Sequence, residues 1–259
     1  MTDSVSKQPF FAITGFRFRL WPILLAAVLM QGILVTGRES ARALLKAGPD
    51  VLYVGWIYLA FALFLQAVLA FAGILVMRRL LPEADDHVRW PPEKSYAGLA
   101  LLIGIGMGLA MLIADYWPAL IAGHAPAAGY DIAPVPAAGM LAALLCTGFA
   151  EETLFRGLLV GMLVILVPGR MRIGGLDLPI AAYIVALLFG LAHWESFLVN
   201  PLHLAIAQQL YAFIWGLIYV WLMERSQSLV APIIAHGVGN FTEVGIVMAM
   251  MATMPPMAP

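Results

Sequence analysis

The sequence predicts an all-α, polytopic transmembrane helical bundle of seven helices, or eight, in a single domain over 1–259. Three observations carry this. The 259 residues are 63% hydrophobic and 11% charged, with a mean hydropathy of +0.93. The apolar residues fall into runs of about 18 or more, long enough to cross the bilayer core as helices. Lys and Arg gather in alternate connections, as they do in membrane-spanning chains.

In order, the spans are 20–36, 51–77, 97–121, 137–168, 178–198, 202–223 and 229–253. The first is longer than a signal-peptide core and other spans follow it, so it reads as an uncleaved helix. The fourth is over-long for one crossing and has room for a break. The stretch after Phe241 can separate as an eighth, shorter helix. Residues 80–95 and 123–136 read as surface connectors, and no internal repeat stands out. Cys146 is the one cysteine, so no intrachain disulfide forms. A net charge of −1 gives no sign of a nucleic-acid partner.

Ten basic residues lie before the first span and in the 2–3, 4–5 and 6–7 connections: Lys7, Arg17, Arg19, Arg78, Arg79, Arg89, Lys94, Arg170, Arg172 and Arg225. Three lie on the other side, Arg38, Arg42 and Lys46. The positive-inside rule therefore places the N-terminus in the cytoplasm. The Ala/Gly-rich composition, with no targeting element read in it, points to a prokaryotic inner membrane.

Glu151, Glu152 and Arg156 sit inside the fourth run. Each charged side chain at a helix centre costs about 2.5–3.5 kcal/mol on insertion scales, so three together need a partner or a function. Glu152 and Arg156 are four apart and stack on one helix face, where they can pair. Glu151 is rotated by about 100° and left free.

His236 and Asn240 form an i, i+4 pair, with Glu243 extending their stripe. Two such neutral donors can hold a developing oxyanion; they can equally bond between packed helices. His193 ends the run Phe189-Gly-Leu-Ala-His193 and alone reads as an interfacial residue or a catalyst. Asp115, before Tyr116-Trp117-Pro118, looks like a helix end near the headgroups, and His203 starts the sixth span. Gln208 and Gln209 can join helices or touch a peptide. Cys146 reads as a small buried thiol, and neither it nor Thr147 has an obvious activating base.

Glu151-Glu152-Thr-Leu-Phe-Arg156, Phe189-Gly-Leu-Ala-His193 and His236-Gly-Val-Gly-Asn240 match in order and spacing the motifs E-E-x-x-x-R, F-x-x-x-H and H-x-x-x-N. Over about 150–240 the chain thus resembles the CAAX-protease and bacteriocin-processing family (CPBP, or Abi), which includes the Ras-converting CAAX endopeptidases. Phe213 and Gly216 meet two further positions, whereas Val220 stands where a second glycine is often found. The resemblance implies a glutamate-dependent intramembrane endopeptidase. It makes Glu151 the base that activates water, His193 its partner on that water, and His236 and Asn240 the oxyanion hole. Glu152 and Arg156 become structural supports.

A transporter or proton relay is the competing reading from another class, but it predicts inverted repeats. A silent scaffold or immunity member of the same family is a second, although every motif residue is present. Two histidines and a glutamate can also ligate Zn²⁺ with an open position for water. There is no H-E-x-x-H, however, and the resemblance implies metal-free chemistry, so no cofactor or metal is expected. The expected partners are the lipid bilayer and a membrane-associated peptide or protein substrate, which in a prokaryote is not expected to be prenylated. Water is expected through a cavity open to the cytosolic leaflet. Straight helices would set His193 and His236 about 10–15 Å apart in depth, so tilt, a break or shifted helix ends must bring them together.

Overall fold

Seven apolar rods lie side by side in the computed structural model, which describes residues 11–13 and 16–255. A short hairpin, β1 (Phe11–Ile13) and β2 (Phe16–Phe18), precedes α1 (Leu20–Ala47). Next come α2 (Gly55–Leu80), α3 (Ala97–Ala122) and α4 (Pro134–Glu152). A π-helical segment (Thr153–Val160) carries α4 without interruption into α5 (Gly161–Leu166). The antiparallel hairpin β3 (Arg170–Ile173) and β4 (Leu176–Pro179) leads into α6 (Ile180–Leu191). Then α7 (Ser196–Val199), α8 (Leu202–Ser226) and α9 (Val230–Thr253) complete the order. Six rods, counting 180–199 as one, are long and apolar enough to cross a membrane. The α4–α5 rod is the seventh, and the protein is an integral membrane protein.

Local chemistry sets several ends. Pro134 opens α4, where its missing N–H is no loss. Gly174 and Gly175, at φ of 56° and 88°, make the tight β3–β4 turn. Three expectations change. The fourth span does not break but widens: every residue of the π segment is buried, and the Thr153 hydroxyl donates to the Phe149 carbonyl at 2.7 Å where the turn loosens. Residues beyond Phe241 simply continue α9, so no eighth helix forms. Asp115 is not at a helix end, because α3 runs through Pro118 to Ala122.

The α4–π rod is central, packed on α2 and α9, and α9 also lies along α3. Backbones meet here. A methyl on Gly148 would stand 3.0 Å from the Gly237 nitrogen and closer still to the Ile233 carbonyl. Methyls on Gly104 or Gly108 would meet the Ala235 and Gly239 carbonyls at 2.6 Å. Small residues at helix crossings permit this close approach.

The bundle has two distinct ends. One carries loop 81–95, the β3–β4 hairpin and turn 226–229; the other carries segments 48–54, 123–133 and 192–201. At the first end, loop 81–95 is docked rather than a surface connector. Arg78 forks onto the buried Asp86 carboxylate at 2.6 and 3.0 Å. The Leu229 N–H donates to the His87 carbonyl at 3.0 Å, and the Ser228 hydroxyl donates to the Arg89 carbonyl. Burial holds the His87 imidazole below the ordinary histidine pKa, with the Arg89 charge adding to the effect against the pull of Asp85.

Candidate active site

Glu152 and Arg156 keep the i, i+4 relation expected of a helical pair, with Arg156 Nη1 donating to Glu152 Oε1 at 2.9 Å. Both side chains are fully buried. Arg156 Nη2 also donates to the Gly216 carbonyl on α8 at 3.1 Å. Its guanidinium lies 4.7 Å from the Phe189 ring centre and 4.9 Å from that of Tyr219, cation–π distances that suit a desolvated cation. Gly216 is required for this: a Cβ there would stand 3.2 Å from Arg156 Nη2 and 3.0 Å from Ala186 Cβ. The intervening-helix glycine is thus a backbone acceptor with room for a guanidinium above it.

His236 comes from the second turn of α9 and inserts between the two glutamates. Its Nδ1 is 2.7 Å from Glu152 Oε1, and its Nε2 is 3.8 Å from Glu151 Oε2. A carboxylate can only accept, so Nδ1 carries a proton. Tyr219 stacks on the imidazole, with centres 5.0 Å apart and planes 11° from parallel. Glu151 itself keeps 18% of its side chain exposed, whereas Glu152 has none. The freedom read from a 100° rotation is realised as access to a cavity.

His193 lies in the turn just after α6, not inside a helix. Its Nδ1 is 2.8 Å from the Phe189 carbonyl, which fixes the proton on Nδ1 and leaves Nε2 as an acceptor. Gln209 Nε2 donates to the His193 carbonyl at 3.2 Å and ties the turn to α8. The expected depth mismatch closes because the hairpin takes residues 170–179 and α6 ends early. Both histidines meet Phe189 edge-on, at 5.3 Å for His193 and 5.8 Å for His236.

Asn240, one turn above His236, donates from Nδ2 to Thr147 Oγ1 at 3.0 Å, and the Thr147 hydroxyl donates to the Leu144 carbonyl. Thr147 therefore orients Asn240. The signal was its position four residues before Glu151, on the same face of α4. The amide keeps its second N–H free.

Glu151, His193, His236 and Asn240 line one cavity of about 250 Å³, with Thr147, Gln208 and Tyr219. A second cavity, about 200 Å³, approaches Glu151, Thr147 and His193 from between α1 and α2. Either has room for several waters. Glu243 lines the first cavity but faces Asp115 rather than Asn240, and Tyr211 donates to Asp115 at 3.3 Å. Cys146 is not buried: it faces an apolar groove between α2 and α4 beside Trp56 and Phe149. Among the described residues no three His, Cys, Asp or Glu converge on a metal position. Glu151 and Glu152 address opposite nitrogens of one imidazole, so they do not point to a common centre.

The cavity reaches Tyr130 in segment 123–133 and Gln208 near the start of α8. None of its lining comes from loop 81–95, the hairpin or turn 226–229. It extends toward the end poor in Lys and Arg.

Residues 133–242 match the family model described as type II CAAX prenyl endopeptidase Rce1-like. No curated protein and no solved structure matches the chain. The matched segment holds Glu151, Glu152, Arg156, His193, His236 and Asn240, and over it the chain is similar to the Rce1-like family of type II CAAX prenyl endopeptidases.

Proposed function

We propose that the protein is a glutamate-dependent intramembrane endopeptidase acting on a membrane-associated peptide or protein. The observation that carries this is the meeting of one free carboxylate, one acceptor imidazole and two potential oxyanion donors around a cavity large enough for water and a peptide backbone. Glu151 takes a proton from a water that also donates to His193 Nε2. The water oxygen attacks the scissile carbonyl carbon, and the carbonyl oxygen becomes an oxyanion held by His236 Nε2–H and the free Asn240 N–H. The intermediate collapses by breaking the C–N bond. Glu151 returns its proton to the leaving amine, so the products are a carboxylic acid and an amine.

His236 can donate from Nε2 only if it carries both protons, since Nδ1–H already points at Glu152. Glu151, Glu152, Arg156 and His236 form a quartet of two acidic and two basic side chains in contact. Proton transfer to Glu151 moves the negative charge onto the oxyanion, where it meets His236 and its dipolar neighbour Asn240.

The test is cleavage of a membrane-associated peptide library by the reconstituted protein. Wild type is expected to cut a subset and Glu151→Gln none of it, with the variant folded as judged by its melting curve. Retention of more than a few per cent of wild-type turnover by Glu151→Gln removes it as the base.

A further inference from the structure

We propose that the cavity is supplied from the extracytoplasmic side, and that its substrates are peptides whose scissile segment lies in or just beneath the outer leaflet. The substrate half rests on the endopeptidase reading; the direction of the opening does not.

Depth along the helices gives the direction. Gln208 lies about 9 Å along α8 from Leu202, and Glu243 about 20 Å along α9 from Val230, at 1.5 Å per residue. Both line the cavity together with Tyr130, so it extends from the Glu151 level toward segments 123–133 and 192–201. The second cavity points the same way, reaching Arg38 near the end of α1 and Tyr58 at the start of α2. Below Glu151 the path is shut. Glu152 and Arg156 are fully buried, and Val220, Leu222, Leu229 and Ala235 pack beneath them with at most 4% exposure.

Charge gives the orientation. The shut end holds Arg78, Arg79, Arg89, Lys94, Arg170, Arg172 and Arg225, and the chain enters α1 from that end past Arg19. The open end holds Arg38, Arg42 and Lys46. Lys and Arg within short connections decide orientation, whatever acidic partners they have. The shut end is therefore cytoplasmic, and the polar vestibule of Tyr130, Gln208, Tyr211 and Glu243 meets the other face.

Single-cysteine variants in a Cys146→Ala background test the orientation. Ile132→Cys and Gln208→Cys are expected to react with a small membrane-impermeant thiol reagent in intact cells. Arg172→Cys on the hairpin is expected to react only after the membrane is breached. The reverse pattern overturns the proposal, and a labelled position 132 with an unreactive position 208 overturns the open vestibule. Two single-span reporters then carry one library-selected cleavage sequence at the outer or the inner leaflet. Cutting of the outer reporter alone is expected, and cutting of the inner one alone overturns the substrate half. Cleavage of neither reporter by a protein that cuts the library peptide overturns the substrate half, absence of any library cleavage rejects the endopeptidase reading, and labelling decides the opening in either case.

Discussion

Arg156→Ala isolates the contribution of the buried quartet. The guanidinium holds Glu152 at 2.9 Å and the Gly216 carbonyl at 3.1 Å, and it contacts the faces of Phe189 and Tyr219. Nothing polar replaces it, because Glu152 and its surroundings are fully buried. Breaking a buried pair by removing one partner costs about 3–5 kcal/mol. At about 2–4 °C per kcal/mol for a chain of this size, the melting temperature should fall by roughly 6–20 °C. Glu152 keeps only His236, so the imidazole is expected to be pulled toward it and turnover to drop as well. Arg156→Lys keeps the charge but loses the planar fork that reaches Glu152 and Gly216 together, and it should recover only part of the loss. Differential scanning fluorimetry in detergent reads the effect. An Arg156→Ala protein that melts within about 1 °C of wild type would refute the assignment, since that interval is at most the ~0.5 kcal/mol of an ordinary surface change.

Losing one oxyanion donor typically costs 10²–10³-fold in the chemical step, so Asn240→Ala and His236→Ala should lower kcat by about that factor with little rise in KM. Their double variant should fall short of the product of the two effects; strict additivity would assign the residues to separate tasks. Thr147→Val removes the acceptor that orients the Asn240 amide and should reproduce part of the Asn240→Ala loss in kcat, and full activity would remove Thr147 as a positioning residue. Gly148→Ala should push α4 from α9 and misplace both donors; misplacements near 1 Å can cost about 100-fold, and unchanged kinetics would mean that the crossing yields without moving the site. His87 has its folded pKa depressed, so its contribution to stability is complete above about pH 6.5 and declines as the pH falls below that toward the folded value. The acid limb of melting temperature against pH should flatten in His87→Gln, and an unaltered limb would place the acid sensitivity elsewhere.

The spans were legible because burial in lipid demands uninterrupted apolar length, and the Glu152–Arg156 contact was legible because i, i+4 geometry is local. What stayed hidden is non-local. Tyr219 and Gly216 belong to an unremarkable apolar helix, and only the packing of α6, α8 and α9 makes them the stack on His236 and the acceptor for Arg156. The π segment leaves no mark in hydrophobic periodicity when all eight of its residues are buried. The hairpin at 170–179 was absorbed into a loop and the next span, and this created the apparent separation of His193 from His236. Cys146 was misplaced because a small apolar residue in a spanning helix can face lipid as readily as protein.

The close backbone contacts along α9 also constrain motion. Gly148 and Gly237 bring it against α4, and Gly104, Gly108 and Gly239 bring it against α3. A helix held by its main chain on two flanks has no side-chain rotamers to exchange there and no slack in which to tilt. His236 and Asn240 are therefore held in place, which on the endopeptidase reading keeps reorganisation during the chemical step small. Any opening that admits a peptide falls to the elements away from this seam. The α1–α2 pair is the natural moving part, since it borders the second cavity and is tied to the His193 turn by an exposed Arg38–Glu195 ion pair at 3.1 Å. Such an ion pair is weak in water and sensitive to salt, so on the proposed orientation a rise in ionic strength outside the membrane is expected to loosen α1–α2 from the His193 turn and to leave His236 and Asn240 in place.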